Sequence, residues 1–285
     1  MRALSYAPLV GLLAVVLNSQ TFCPALRGRG VGEPMSLRDT THAAADFRWE
    51  KQLAPGATVE VKGLRGNITA EPAAGDRVEV VAAKRGPRGE AEAVEVRAVE
   101  HGGGVTVCAV YPTIDPRQPY VCRPGDESQN YGMVFFRHND VEVNFTVRVP
   151  RGVRFVGRTV LGEVRATALG GDVEAFTVNG DVRLDTAGHV RAVSMTGSIV
   201  ASLKQAALAR PLELRTVNGD ITVALPAGAN ANLLAETSYG RITTDFPLDV
   251  RRGPAQRSAA GAVGRGGSDV MLKTVFGSIR VRRAP

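Results

Sequence analysis

Along the C-terminal half of the chain, apolar side chains recur at every second position on both sides of six glycines: Gly162, Gly180, Gly197, Gly219, Gly240 and Gly277. Two residues after each glycine stands a β-branched aliphatic: Val164, Val182, Ile199, Ile221, Ile242, Ile279. Four after stand Ala166, Leu184, Ala201, Val223, Thr244, Val281, and seven before stand Phe155, Val173, Val190, Leu212, Leu233, Val270. Five before are Gly157, Ala175, Ala192, Leu214, Ala235, Leu272. Three before is always a small hydroxyl: Thr159, Thr177, Ser194, Thr216, Thr237, Thr274. Charged residues such as Glu163, Arg165, Arg183, Arg191, Glu213, Arg215 and Arg280 fall between the columns. A period of two puts alternate side chains on one face of a strand, so each unit reads as strand, tight corner, strand, with the charges toward water. A seventh copy fits around Gly66, with Val59, Val61, Ile68 and Ala70 in the apolar columns and Gly63 at the hydroxyl position.

The glycines are 18, 17, 22, 21 and 37 residues apart, and Gly171 and Gly188 divide the regular units again. A unit of this size suits one coil of a solenoid, whereas a propeller blade needs four strands and about 40 residues. Equivalent residues of successive coils would stack at about 4.8 Å, which explains why each column keeps one chemical type. The expected fold is therefore all-β, a β-solenoid-like stack of short strands, its hydroxyl column forming a ladder by mutual hydrogen bonding. The alternative is an antiparallel β-sandwich. The motif Val-Asn-Gly-Asp occurs at 178–181 and at 217–220. Its Asn-Gly tolerates positive φ at a corner and is also the strongest hairpin signal.

The remaining chain is less regular. Residues 26–46 lack periodicity and read as a flexible lead, and residues 47–150 as an irregular N-terminal β region. Strands are expected at 47–49, 57–61, 67–70, 78–83, 93–99 and 105–110, with turns at 86–89 and 102–104. Residues 111–139 form a long loop containing prolines, and Val141–Val149 alternates cleanly. The regular repeat region spans 151–283. Within it, residues 251–267 are rich in Arg, Gly, Ala and Ser and read as a disordered insert.

Composition narrows the class. With 285 residues, 44% of them hydrophobic, wholesale disorder is excluded, and 32 glycines without a three-residue period exclude collagen. Residues 1–25 read as a signal peptide: Arg2, an apolar run from Ala7 to Leu17, then polar Asn18-Ser19-Gln20. That run is too short to span a bilayer, so no transmembrane span is expected in the mature chain. Cys23 raises the question of lipidation, but Gln20-Thr21-Phe22 lacks the small residue a lipoprotein peptidase needs. Cys108 and Cys122 then remain as an even pair in an exported chain and read as a disulfide. Their spacing is no metal-ligand spacing.

Where the repeats meet an exported N-terminus, the chain resembles the bacterial putative-adhesin family of unknown function. The resemblance spans about residues 47–283 and rests on the short motifs at 177–182, 196–199, 216–221, 237–242 and 274–279. It implies a secreted or envelope-attached β-solenoid-like domain without assigned catalytic residues. Some members of that family accompany envelope-stress regulation. The Arg-rich insert departs from the pattern, and no second membrane or cytoplasmic domain is evident.

Candidate chemistry is sparse. Asp172, Asp181 and Asp220 follow glycines at corners. They read as acceptors of turn hydrogen bonds, against an acidic cluster of the kind polysaccharide lyases carry on β-helices. The histidines, His42, His101, His138 and His189, lack metal spacing, and His189 is expected to face solvent. No nucleophile elbow or phosphate loop occurs, and no cofactor or metal is expected. A net charge of +7 favours an acidic partner. Export and few aromatics exclude nucleic acid and leave an anionic envelope polymer, a polysaccharide or an envelope protein. The sequence thus predicts an exported, non-enzymatic structural or adhesive module at the envelope: periplasmic, cell-surface or secreted. A polysaccharide-active enzyme on a β-helix and an envelope-stress accessory protein are the alternatives.

Overall fold

The computed structural model describes residues 44–117, 119–125, 137, 139–253 and 256–284. The expected signal peptide and most of the expected lead lie outside them. The chain enters with β1 (Ala44–Gln52), so the lead gives way to a strand three residues before its expected end. Then follow β2 (Thr58–Lys62), β3 (Ile68–Pro72), β4 (Arg77–Arg85), a short helix α1 (Arg88–Ala93), β5 (Glu95–His101), β6 (Gly104–Val110) and β7 (Glu142–Val149). The repeat region supplies β8 (Arg154–Leu161), β9 (Val164–Leu169), β10 (Val173–Asn179), β11 (Val182–Thr186), β12 (Val190–Thr196), β13 (Ile199–Leu203), β14 (Leu212–Arg215) and β15 (Ile221–Leu225). The chain closes with β16 (Ala231–Tyr239), β17 (Ile242–Thr244), β18 (Asp249–Arg252), β19 (Arg257–Val263), β20 (Asp269–Phe276) and β21 (Ile279–Arg283).

The fold is all-β, with two large mixed sheets that face one another across a shared core. Sheet A runs β1-β4-β7-β3-β9-β11-β13-β15-β21-β17, and sheet B runs β18-β19-β16-β20-β14-β12-β10-β8-β2-β6-β5. Each coil gives one strand to each sheet, and successive coils pair in parallel. Val173 lies between Phe155 and Val190, and Ile199 between Val182 and Ile221. The glycine-aligned columns are therefore vertical stacks, and the solenoid-like arrangement holds. The antiparallel alternative describes only the ends, where β4 and β1 follow β7, β5 follows β6, and β19 and β18 follow β16.

The apolar columns form the interior. Phe155, Val173, Val190, Leu212 and Val270 are buried, as are Ala175, Ala192, Leu214 and Leu272 opposite Val164, Val182, Ile199, Ile221 and Ile279. The hydroxyl column is buried too, but the hydroxyls do not bond one another as expected. Each donates to the glycine carbonyl of the neighbouring coil: Thr159 to Gly66, Thr177 to Gly162, Ser194 to Gly180, Thr216 to Gly197, Thr274 to Gly219 and Thr237 to Gly277, at 2.8–3.1 Å. Adjacent hydroxyls sit a full strand spacing apart, beyond hydrogen-bond reach, whereas the carbonyl of the corner lies between coils.

This explains the glycines better than corner flexibility does. A Cβ added to Gly180 would lie 1.9 Å from the Gly162 carbonyl oxygen, and one on Gly219 would lie 2.1 Å from that of Gly197. Gly197 also has φ +146°, but Gly180 lies outside the left-handed region, and its need for glycine is close approach alone.

The 37-residue gap before Gly277 has a topological origin. The last coil, β20 and β21, is inserted between the Gly219 coil and the Gly240 coil. Residues 251–267, expected as disordered, largely fold as the hairpin β18–β19 that carries the chain back along the edge of sheet B. Ala259 and Val263 on it are buried, because the terminal coil needs apolar cover. The turn expected at 86–89 instead runs into α1, whose Ala91 is buried. Replacing Gly180 with Ala is expected to cost about 3 kcal/mol or more. The same change at Gly75, where a Cβ meets nothing within 4 Å, should cost less than about 0.5 kcal/mol. Denaturant midpoints of the two variants test this.

Candidate binding surface

The corner acids do not converge. One residue after most corners a side-chain oxygen receives the backbone N–H of the equivalent residue in the next coil; after Gly162 the Glu163 carboxylate instead accepts from Arg165 and Arg183. Asn144 accepts from Asn67, Asn67 from Glu163, Asp181 from Ser198, and Asp220 from Ser278, at 2.8–2.9 Å. Ser198 and Ser278 continue the series toward Asp220 and Arg241 at 3.4 and 3.3 Å. At the opposite corner Asp172 receives His189 N–H at 2.9 Å and pairs with Arg210. Asp181 and Asp220 pair with Arg183 and Arg280 at 2.9 and 2.8 Å. These carboxylates accept hydrogen bonds as expected, but across coils rather than within turns. His189 is half-buried rather than solvent-facing, and burial pushes its imidazole below the ordinary value. Among the described residues no group of three or more His, Cys, Asp or Glu is placed to hold a metal ion. His42 and His138 lie outside the described residues.

Cys108 and Cys122 are joined in a disulfide. The bridge holds residues 119–125 against the outer face of sheet B. There the Lys62 ammonium donates to the Arg123 and Gly125 carbonyls at 2.7 and 2.8 Å. The buried Glu60 carboxylate accepts from Gly125 N–H, the Thr106 hydroxyl and Arg158 Nε, each at 3.0 Å. Glu60 and Lys62 point outward from β2 yet are only 4% and 2% exposed. A buried carboxylate of this kind is tolerated because each of its oxygens is bonded.

Beside this cluster the outer face of sheet B carries two recesses. Arg158 lines both, its guanidinium 4.0 Å from the Phe176 ring, with Arg191 at 5.3 Å from the same ring. One recess is a trough of about 280 Å³ floored by Phe176 and Val193 and walled by Val160, Val178, Met195 and Val217. Val178, Met195 and Val217 are 37%, 55% and 40% exposed. They occupy one column, two residues before the corner glycine, so parallel stacking lines them up along the coils. The other recess, about 480 Å³, is polar and includes His101, Arg154, Glu174 and Arg191. Its arginines are neutralised: Arg154 pairs with Glu174, and Arg191 with Glu213 at 3.2 Å.

The sequence identified the disulfide and the repeat corners, all of which are structural. It did not identify Glu60, Lys62, Arg158, Phe176 or the valine–methionine column. The available signal was the row of apolar residues two before five of the six glycines, Val160, Val178, Met195, Val217 and Val275, which interrupts a face otherwise charged.

No family model matches the chain, and no curated protein does. Solved structures do resemble it. A "putative cell adhesion protein" from Clostridium sporogenes ATCC 15579 superposes with a TM-score of 0.42 at 13% identity, covering 84% of this chain and 100% of that one. A "putative adhesin" from Bacteroides fragilis NCTC 9343 gives 0.29 at 10% identity over 84% and 97%. A "putative lipid binding protein" from Parabacteroides distasonis ATCC 8503 gives 0.21 at 10% identity over the same shares. The identities are too low and the superpositions too loose to transfer a function. No helix among the described residues is long and apolar enough to cross a membrane.

Two outcomes follow from this electrostatic and covalent arrangement. Ser278 N–H and the Arg280 guanidinium hold the Asp220 carboxyl below the ordinary aspartate range. A depressed folded pKa means stability present above about pH 4 and lost as pH falls through the folded value. Asp220→Asn should therefore flatten the acid limb of a stability–pH curve. Removing the disulfide, as in Cys108→Ala/Cys122→Ala, should cost about 3 kcal/mol, measured by urea unfolding.

Proposed function

We propose that this protein is an exported, non-enzymatic binding module of the cell envelope, with the outer face of sheet B as its contact surface. The observation that carries the reading is the trough. Val178, Met195 and Val217 expose apolar surface in one continuous row that the core does not use, next to a recess bordered by the disulfide-pinned segment. Continuous exposed apolar surface beside fixed polar groups is the usual composition of a recognition site. The corner carboxylates are engaged in joining coils, which supports binding over a lyase-like chemistry. The partner this favours is a polymer of the envelope, since rows repeating at each coil offer periodic contacts to a periodic ligand.

The test is retention of the purified mature protein on envelope and cell-wall fractions. Wild type should be retained. Val178→Asp/Met195→Glu, which places charge in the trough at exposed positions and leaves the core intact, should reduce retention about tenfold or more. Equal retention of both proteins would overturn the assignment of the surface, and no retention of wild type would overturn the function.

A further inference from the structure

The two ladders that join the coils both end in arginine. At the terminal Gly240 coil no further coil supplies a hydroxyl to the glycine carbonyl, and Arg257 of β19 donates to Gly240 O instead. The column of side-chain oxygens after the corner runs Asn144, Asn67, Glu163, Asp181, Ser198, Asp220, Ser278, all but Glu163 receiving the next coil's N–H, and the position after them is Arg241. An acceptor there would have no N–H to receive. Among the described residues the Arg241 guanidinium makes no hydrogen bond or ion pair, and that of Arg257 has only the Gly240 carbonyl.

Both side chains line one pocket of about 350 Å³ with Ile242, Thr243 and Val250, between the edge strand β17 and the returning strands β18 and β19. Among the described residues no carboxylate lines it. The nearest in sequence are engaged elsewhere: Asp245 accepts Arg283 N–H at 3.0 Å, and Asp249 pairs with Arg251 at 2.9 Å. This differs from the sheet B face, where glutamates neutralise the arginines. A guanidinium carries five donors, so Arg257 keeps most of its own after bonding Gly240. One residue before Gly240, the Tyr239 ring is 66% exposed and stacks on Phe276 with centroids 4.9 Å apart. A flat, exposed aromatic can pack against the C–H face of a sugar ring.

From these facts we infer that the C-terminal end of the stack is a binding site for the anionic sugar of an acidic glycan. Arg241 and Arg257 hold the carboxylate or phosphate, and Tyr239 supports the ring. The inference rests on the envelope-binding reading and gives it a ligand class and a second contact point.

The full mature chain is titrated calorimetrically with a galacturonic acid trimer, glucose 6-phosphate, maltotriose and a glutamate trimer. Binding of a charged sugar, weakened by salt and absent for maltotriose, is expected, and the tighter of the two names the anion. Arg241→Gln touches no partner, so it should leave the melting temperature unchanged and weaken binding about tenfold or more. Tyr239→Ala should weaken the sugar arms. Undiminished binding by Arg241→Gln, or no binding of either charged sugar, overturns the site. A glutamate trimer that binds as tightly as the sugars overturns the glycan. Wild type that is retained on envelope fractions but binds neither charged sugar refutes this site while the envelope-binding reading stands; loss of both refutes both.

Discussion

The contact between the corner of one coil and the corner of the next governs this molecule. A glycine carbonyl projects into the space a Cβ would fill on the following glycine, and it is met there by the buried hydroxyl of that following coil. Every parallel register in the two sheets is consistent with that spacing. A side chain at the corner would push the coils apart and break the backbone ladders of both sheets together. A missing hydroxyl would leave a buried carbonyl without its donor, at a cost of about 1–3 kcal/mol. The thin interior follows: with coils this close, Ala175, Ala192 and Leu214 suffice to fill one side.

Much of this was legible because a repeat writes the same physics several times. The columns at two, four, five and seven residues from each glycine announced both the strands and the inward face, and Cys108–Cys122 followed from the expected compartment and parity. Other features were not legible, for identifiable reasons. The partner of Thr177 was misread because a column of hydroxyls does not reveal which carbonyl lies nearer. The insertion of β20 and β21 ahead of β16 and β17 leaves no local trace, since each coil carries the same signals wherever it sits in the stack. Residues 251–267, rich in Arg, Gly, Ala and Ser, read as disordered because an edge hairpin needs only a few buried residues, here Ala259 and Val263. Phe176 and Met195 were hidden because outward columns tolerate mixed chemistry.

The ends of the stack show how a repeat stops. Parallel coils leave open edges, which invite association with other chains. At one end β4 reverses direction to cover β7, with β1 antiparallel beyond it, and β5 reverses to cover β6. At the other, β19 and β18 cover β16, while sheet A ends in the three-residue β17. The trough of Val178, Met195 and Val217 follows a repeating column, whereas the other features with a functional reading lie where the repeat is broken. The disulfide-held segment crosses the face of sheet B, and Arg241 and Arg257 occupy positions the ladders no longer require. Repetition supplies the scaffold, and the departures from it supply distinct chemistry.

Native-state amide exchange tests the central contact most directly. The N–H groups of Gly162, Gly180, Gly197, Gly219 and Gly277 each donate to a carbonyl of the adjoining coil, at 2.8–3.0 Å. If corner-to-corner packing holds the coils as one cooperative unit, these five amides should exchange together, only through global unfolding, and with the highest protection in the chain. Fast or independent exchange among them would contradict it, leaving the strand ladders and side-chain burial to hold the coils.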